Sequence, residues 1–197
     1  MTTVSIYNRF NRPRKRDGDE FARESKGFLK CHGGNGISIS APLAAHARRV
    51  SLHLALMEEC NDNGKIDLLG VFCHGWKTGL QTGHSIASAG ELVDTLCEVC
   101  TTDVRIFFAA CSAGVAFLPR LHELMQHRGM SPNIWGHTTS GHTTRNPNII
   151  RLSEFEPEEL SDAYKRIVKH ALDTSMDLRF RIPLADSMSQ LVDWAEV

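Results

Sequence analysis

The chain has no long apolar run. None of its 197 residues belongs to a stretch of about 18 apolar residues, the length that a membrane-spanning helix needs. Its opening residues, Met1 to Tyr7, also lack the basic segment and following apolar segment of a secretory signal peptide. Without a signal for export, we expect the six cysteines to stay as free thiols in a reducing compartment. These absences predict a soluble, cytoplasmic protein with no membrane partner.

An excess of charge of either sign is missing as well. The chain carries 22 Lys and Arg against 23 Asp and Glu, a formal net charge of −1. Such a balance gives no whole-chain field that would attract nucleic acid or an anionic membrane surface. The basic cluster Arg12 to Arg16 is a local exception, but Asp17, Asp19 and Glu20 follow it directly. We therefore interpret this stretch as a solvated loop and expect no nucleic-acid partner.

Internal repeats and low-complexity linkers are absent too. A chain of 197 residues is long enough to bury one core, so we expect one domain spanning residues 1–197. Within it, residues 1–36 are predicted to hold a first strand, Val4 to Phe10, and then an irregular charged segment. The turn-rich end of that segment leads into a short alternating strand, Ile37 to Ser40.

The most informative feature present is a pair of apolar runs that each stop on a reactive side chain. The first, Ile66 to Cys73, continues into His74 and Gly75; the second, Val104 to Ala110, continues into Cys111. Both patterns are typical of buried parallel strands. The carboxyl ends of parallel strands border the ligand crevice of an open α/β sheet, so one rim would receive an imidazole and a thiol.

The segments around these strands predict helices. Pro42 to Cys60 repeats apolar residues at helical spacing, at Leu43, Ala47, Val50, Leu54 and Met57. Ser88 and Glu91 have the spacing of a capping box, which would open a crossover helix running to about Cys100. A βαβ unit of this kind is right-handed, so His74 and Cys111 are predicted to lie on the same edge of the sheet.

The rest of the chain continues the alternation. Ser112, Ala113 and Gly114 are expected to open a helix to about Arg128, in which Pro119 is tolerable only if the first turn lies near it, and Asn133 to Gly136 should form a strand. The polar residues 137–147 are predicted to form a loop at the strand ends, and Pro157 to Asp173 a further helix. The expected fold class is α/β, a three-layer α/β/α sandwich around a mainly parallel sheet.

The two reactive side chains suit nucleophilic catalysis. A thiol attacks a carbonyl as the thiolate, and an adjacent imidazole accepts its proton and then holds the anion. We assign Cys111 as the nucleophile and His74 as the base. The start of the helix after Cys111 would lower its pKa, and the backbone N–H groups of Gly75 and Cys111 would stabilise an oxyanion.

The sequence strand-His-Gly, helix, strand-Ala-Cys resembles the caspase-like (clan CD) cysteine peptidases, including the bacterial caspase-like and CHAT types. The resemblance covers about residues 64 to 118 and less firmly extends to Pro147. It implies an endopeptidase with a His74–Cys111 dyad that needs no cofactor and acts on a peptide or protein. It further implies that the strand ends around the dyad bind substrate, through Trp76, Trp135, His137 and His142.

Two departures separate this chain from caspases. Ala109 stands where the caspase signature has Gln, and the His–Cys separation is shorter than the roughly 50 residues of that family. Aspartate specificity is therefore not predicted. The two stretches that would line the substrate, Trp76 to Gly83 and Trp135 to Asn146, contain no Asp or Glu. The preferred P1 residue therefore stays open.

Other interpretations of the same residues remain. Ala110-Cys111-Ser112-Ala113-Gly114 is close to the nucleophile elbow of α/β-hydrolases, with Ser112 as the nucleophile, and a non-catalytic caspase-like binding module is a third candidate. Ten histidines, including His84, raise the question of a zinc site. No pair of them has the i, i+4 helical spacing with Glu that is typical of a zinc protease, so no metal is predicted. Cys97-x-x-Cys100 lies within a predicted helix, which favours core packing over redox chemistry.

Overall fold

A computed structural model describes residues 1–9, 17–40, 44–140, 148–154 and 158–159. The main sheet contains β1 (Thr2–Arg9), β2 (Asn35–Ser40), β3 (Ile66–Phe72), β6 (Cys100–Ala109), β7 (Asn133–His137), β8 (Ile149–Leu152) and β9 (Glu158–Glu159). A small hairpin, β4 (Gly75–Trp76) and β5 (Gly79–Leu80), follows β3. The helices are α1 (Asp17–His32), α2 (Ala45–Asn63), α3 (Ala89–Val99) and α4 (Phe117–His127).

The seven strands of the main sheet have the order β2-β1-β3-β6-β7-β8-β9. The first five in that order are parallel to their neighbours, and β8 and β9 pair antiparallel. The predicted α/β class with a mainly parallel sheet is therefore confirmed. The chain passes from β1 to β2 on one side and later returns to β3 on the other. This reversal is a topological switch point, beside which ligands bind in open α/β sheets.

Helices cover both faces of the sheet. On one face, α1 contacts β1 and β3: the Ser25 hydroxyl lies 2.7 Å from that of Ser5, and the Phe28 ring centroid lies 5.7 Å from that of Phe72. On the other face one apolar cluster joins the sheet to α2, α3 and α4, including Val71, Leu56, Leu96 and Leu121. The described residues thus agree with a three-layer arrangement, because alternate strand residues point to opposite faces and each face buries apolar side chains.

Helix α1 was missed by the sequence prediction, which expected an irregular charged segment there. Its sheet-facing side includes Phe21 and Phe28, but Glu24 and Ser25 are buried between them. Polar residues at core-facing positions weaken the apolar periodicity on which helix prediction depends. The segment was therefore indistinguishable from a charged loop.

Helix α2 was predicted, and the structure shows which of its apolar residues pack against the core. Leu52 and Leu56 are its buried residues, whereas Val50 and Leu54 are 42% and 61% exposed. The helix carries apolar residues on two sides, so periodicity alone did not decide which side would pack. The predicted range also ended three residues before the observed end at Asn63.

The crossover helix α3 is confirmed, although its predicted cap is not. Ser88 makes no side-chain cap to α3; instead, Ser85 and Ser88 form a capping box around the short 3-10 turn Ile86–Ser88. Glu91, the other half of the predicted cap, accepts from Arg49 of α2 at 2.8 Å. The carboxylate thus joins two neighbouring helices.

Toward the end of the described chain the agreement is partial. β7 is confirmed, whereas β8 was not predicted. The predicted helix Pro157 to Asp173 is wrong at Glu158 and Glu159, which form β9, and its other residues lie outside the described ranges. In the described part of the chain, none of the helices combines the length and the apolar character needed to span a bilayer.

Candidate functional site

The candidate site lies where β3 and β6 end side by side. The two strands are parallel, with Val71 opposite Phe108 and Phe72 opposite Ala109. His74 and Cys111 each lie two residues beyond this last pair, so continuing the register brings them opposite each other. Neighbouring strands are about 4.8 Å apart, so the two backbones are in direct proximity. The prediction that these residues share one edge of the sheet is confirmed.

Gly75 brings the two strand ends into contact. A Cβ atom built on Gly75 would lie 2.8 Å from the Cβ of Ala110 and 2.8 Å from the carbonyl oxygen of Cys111. Real side chains do not approach backbone atoms so closely, so this position has room only for glycine. The His-Gly turn therefore packs directly on the peptide that carries the thiol.

The backbone of His74 is held by Gln81, just beyond the hairpin. The His74 N–H donates to Gln81 Oε1 at 3.1 Å, and the Gln81 N–H donates to the His74 carbonyl oxygen at 2.9 Å. The imidazole packs on the edge of Phe21 of α1, with ring centroids 4.9 Å apart and planes at 87°. The sequence analysis missed both partners. Phe21 carries no motif, and Gln81 lies in a stretch that showed only glycines.

The two cysteines at this edge differ in environment. Cys111 is partly exposed, whereas Cys73 is buried on the opposite face, within the core cluster. Burial raises the pKa of the Cys73 thiol to about 12, although hydrogen bonds from the backbone of Gln81 and Thr82 act in the opposite direction. A thiolate is therefore strongly disfavoured at Cys73, and Cys111 is the thiol at this edge that solvent can reach.

Ser112 forms the sharp turn after the nucleophile strand. Its φ of 56° is the only positive value among the described residues other than glycine. Its N–H donates to the carbonyl oxygen of Thr139 at 3.1 Å, and its hydroxyl lies 3.2 Å from that of Ser140. The side chain is only 8% exposed. The turn thus ties the end of β6 to the segment after β7 and leaves Cys111, rather than Ser112, toward solvent.

The helix predicted directly after Cys111 begins later. A 3-10 turn, Ala113–Val115, comes first, and α4 begins at Phe117, with Pro119 in its first turn as expected. The first N–H of α4 donates to the carbonyl oxygen of Lys77 in the hairpin at 3.0 Å. The chain must pass close to β7, since a Cβ on Gly114 would meet two of its carbonyl oxygens at 3.0 and 3.1 Å. The first turn of α4 therefore contacts the hairpin, and the helix starts six residues after Cys111, later than predicted.

The predicted substrate-binding residues occupy different environments. Trp76 is 48% exposed on the hairpin beside His74. His137 is buried at the end of β7, with its ring centroid 6.2 Å from that of Phe107. Trp135 is fully buried in the middle of the sheet, opposite Phe107, a position that does not allow direct substrate contact. His142 lies outside the described residues.

The loop after the hairpin is anchored to the helices behind it. His84 is buried, and its Nδ1 lies 3.0 Å from the hydroxyl oxygen of Thr82. Arg49 donates to the carbonyl oxygen of Gly83 at 2.9 Å while it pairs with Glu91. Burial lowers the pKa of His84 to about 4, and the nearby Arg49 charge acts in the same direction. His84 is therefore neutral in the folded protein near pH 7.

The remaining cysteine pattern, Cys97-x-x-Cys100, lies within the part of the chain that the structure describes. The described residues contain no group of three or more His, Cys, Asp or Glu arranged to hold a metal ion. Cys97 packs against Met130, with sulfur atoms 3.2 Å apart, and Cys100 is buried at the start of β6. Burial raises the pKa of Cys100 to about 12. This placement supports core packing for the Cys97-x-x-Cys100 pair.

The tight contact at Gly75 predicts the effect of adding one methyl group. We expect Gly75→Ala to lower the free energy of unfolding by about 1–3 kcal/mol, because the new Cβ overpacks against backbone that cannot move freely. The same change should slow alkylation of Cys111, since the strand ends must separate. Gly90→Ala is the control: an added Cβ there meets nothing within 4 Å, and a helical glycine replaced by alanine gains about 0.5–1 kcal/mol. Urea unfolding of both variants measures the difference, and equal stability would contradict the contact.

The environment of His84 predicts a pH dependence of stability. Its pKa is lower in the folded protein than in the unfolded chain, so the unfolded chain binds more protons between pH 6.5 and about 4. Stability is therefore present above this window and is lost as the pH falls through it, by about 2 kcal/mol between pH 8 and pH 5 for this one group. His84→Gln removes the titrating group. Urea unfolding at both pH values should show a smaller pH effect in the variant than in the parent, whatever its absolute stability.

No known family model matches the chain, and neither a curated protein nor a solved structure matches it.

Proposed function

We propose that the protein is a cysteine endopeptidase of caspase-like type, with His74 and Cys111 as its catalytic dyad. The observation that supports the proposal is the parallel register of β3 and β6, whose last pair is Phe72 and Ala109, because both proposed residues follow two positions later at the same carboxyl edge. The contact of Gly75 with the Ala110–Cys111 peptide supports it independently. The three-layer α/β arrangement fits the fold that the resemblance implies.

The dyad would cleave a peptide bond in two steps. His74 takes the proton of the Cys111 thiol, and the thiolate adds to the substrate carbonyl carbon. His74 then returns the proton to the leaving amine, and the acyl group stays on Cys111 as a thioester. In the second step His74 takes a proton from water, the hydroxide releases the acid, and the thiol is restored. No cofactor enters these steps.

Exposed apolar side chains around the proposed dyad favour a substrate that is itself apolar near the cleaved bond. Among the described residues, Trp76, Ile86 and Val115 are three of the large apolar side chains that stay exposed. All three lie in or next to the hairpin that follows His74. The Ile86 N–H donates to the carbonyl oxygen of Thr78 in the hairpin turn, and the first N–H of α4, just after Val115, donates to that of Lys77. Apolar surface at the rim of a polar centre is typical of a binding groove. We therefore propose a peptide with apolar residues near the scissile bond.

A serine hydrolase with Ser112 as the nucleophile is the second candidate. The left-handed backbone of Ser112 at a strand-to-helix turn favours it, because a strained turn of this kind presents the nucleophile in α/β-hydrolases. Against it, the side chain is buried and faces Ser140 rather than an imidazole in the described structure. The cysteine dyad therefore remains the better supported function.

Three substitutions separate these functions. On a peptide library, Cys111→Ala should abolish cleavage, and His74→Ala should lower kcat/KM by about 10²- to 10⁴-fold, the usual contribution of a general base. Ser112→Ala should keep cleavage within a few fold of the parent. Loss of activity in Ser112→Ala with retention in Cys111→Ala would instead establish the hydrolase. Unchanged cleavage in both would show that neither residue is the nucleophile.

Trp76 offers a separate test of the substrate side. Trp76→Ala should raise KM for peptides with apolar residues and leave kcat nearly constant, because an exposed side chain contributes binding rather than chemistry. Leu54→Ala on α2 removes an apolar side chain that is even more exposed, 61% against 48%, and that lies outside the hairpin, so it should leave both constants unchanged. A fall in kcat without a change in KM for Trp76→Ala would contradict a binding role.

A further inference from the structure

Gln81 binds both backbone groups of the proposed base. Residues 73 and 74 lie between β3 and β4, beyond the last ladder hydrogen bonds of the main sheet. There, the Gln81 side-chain oxygen accepts from the His74 N–H and the Gln81 N–H donates to the His74 carbonyl oxygen. One residue therefore bonds to both backbone polar groups of another.

Gln81 is itself held in place. It is buried, and it follows the second strand of the hairpin. The Leu80 N–H donates to the carbonyl oxygen of His84 at 2.8 Å, and Arg49 fixes the Gly83 carbonyl from α2. A Cβ on Gly83, whose φ is +92°, would lie 2.4 Å from the carbonyl oxygen of Ala45, so the loop packs tightly on α2. Contacts with α2 thus hold the loop that carries Gln81 in place.

A fixed backbone matters for a general base. The imidazole swings about the Cα–Cβ bond of His74, so a displaced peptide displaces the ring from the thiol. Phe21 supports one side of the ring through an edge contact. Displacement by 1 Å can cost about 100-fold in rate, because reacting groups must meet at hydrogen-bonding distance.

We propose that Gln81 is a positioning residue, which holds the His74 peptide so that the imidazole faces Cys111. This inference rests on the proposed dyad. The hydrogen bond from His74 N–H to the Gln81 side chain is the part that a substitution can remove, because the second bond uses backbone atoms alone.

Gln81→Met tests the inference, since it keeps the length of the side chain and removes its acceptor oxygen. We expect kcat and the alkylation rate of Cys111 near neutral pH to fall about 10- to 100-fold, with KM little changed. Gln81→Glu keeps an acceptor oxygen at the same reach and should restore most of the rate. Thr82→Val is the matched control. It removes the side-chain bond to His84 in the same buried loop and leaves His74 untouched.

A second readout separates this inference from the proposed function. The readout is the NMR spectrum of the His74 ring, whose resonances are identified by their loss in His74→Ala. These resonances should shift or broaden in Gln81→Met and stay unchanged in Thr82→Val. If the resonances respond but Cys111 is inert in the parent protein, Gln81 holds His74 and the peptidase proposal fails. If the parent cleaves peptides and folded Gln81→Met matches it in kcat, alkylation rate and ring resonances, the positioning role is overturned. A rate loss that Gln81→Glu does not restore, or that Thr82→Val reproduces, would also overturn it.

Discussion

The parallel pairing of β3 with β6 is the constraint on which the candidate site depends. Backbone hydrogen bonds fix the register, and a shift by one residue would turn every following side chain to the other face of the sheet. In the observed register, Cys73 points into the apolar core and His74 lies beside Cys111. A slip would bury the imidazole and bring the Cys73 thiol out of the core that raises its pKa. The register thus decides which cysteine is available for chemistry.

Three close approaches reinforce that register. Gly75 packs on the Ala110–Cys111 peptide, Gly114 packs on the carbonyl oxygens of β7, and Gly83 packs on the first turn of α2. Each glycine permits a contact that a side chain would prevent, so the loops at this edge are set by packing rather than by local turn preference. The positive φ of Ser112 belongs to the same arrangement, because it redirects the chain from β6 toward α4.

The sequence predicted the central elements well because their patterns were unambiguous. β3 and the second half of β6 are largely apolar runs that end beside polar residues. The segment between them is long enough for the crossover helix that parallel strands need. Predictions failed where a pattern was weak or duplicated. Helix α1 places Glu24 and Ser25 in its buried face, and α2 carries apolar residues on two faces. Such cases are decided by what each element packs against.

The sequence alone determined that a histidine and a cysteine end neighbouring parallel strands, because strand alternation and right-handed crossovers are local consequences of chain geometry. Only the tertiary structure decided what surrounds them. Phe21 reaches the imidazole from a helix about 50 residues earlier in the chain, and Gln81 reaches its peptide by the return of a hairpin. The displaced start of α4 and the burial of Trp135 likewise follow from packing across the sheet. These contacts join residues that no periodicity relates, so three-dimensional packing was needed to establish them.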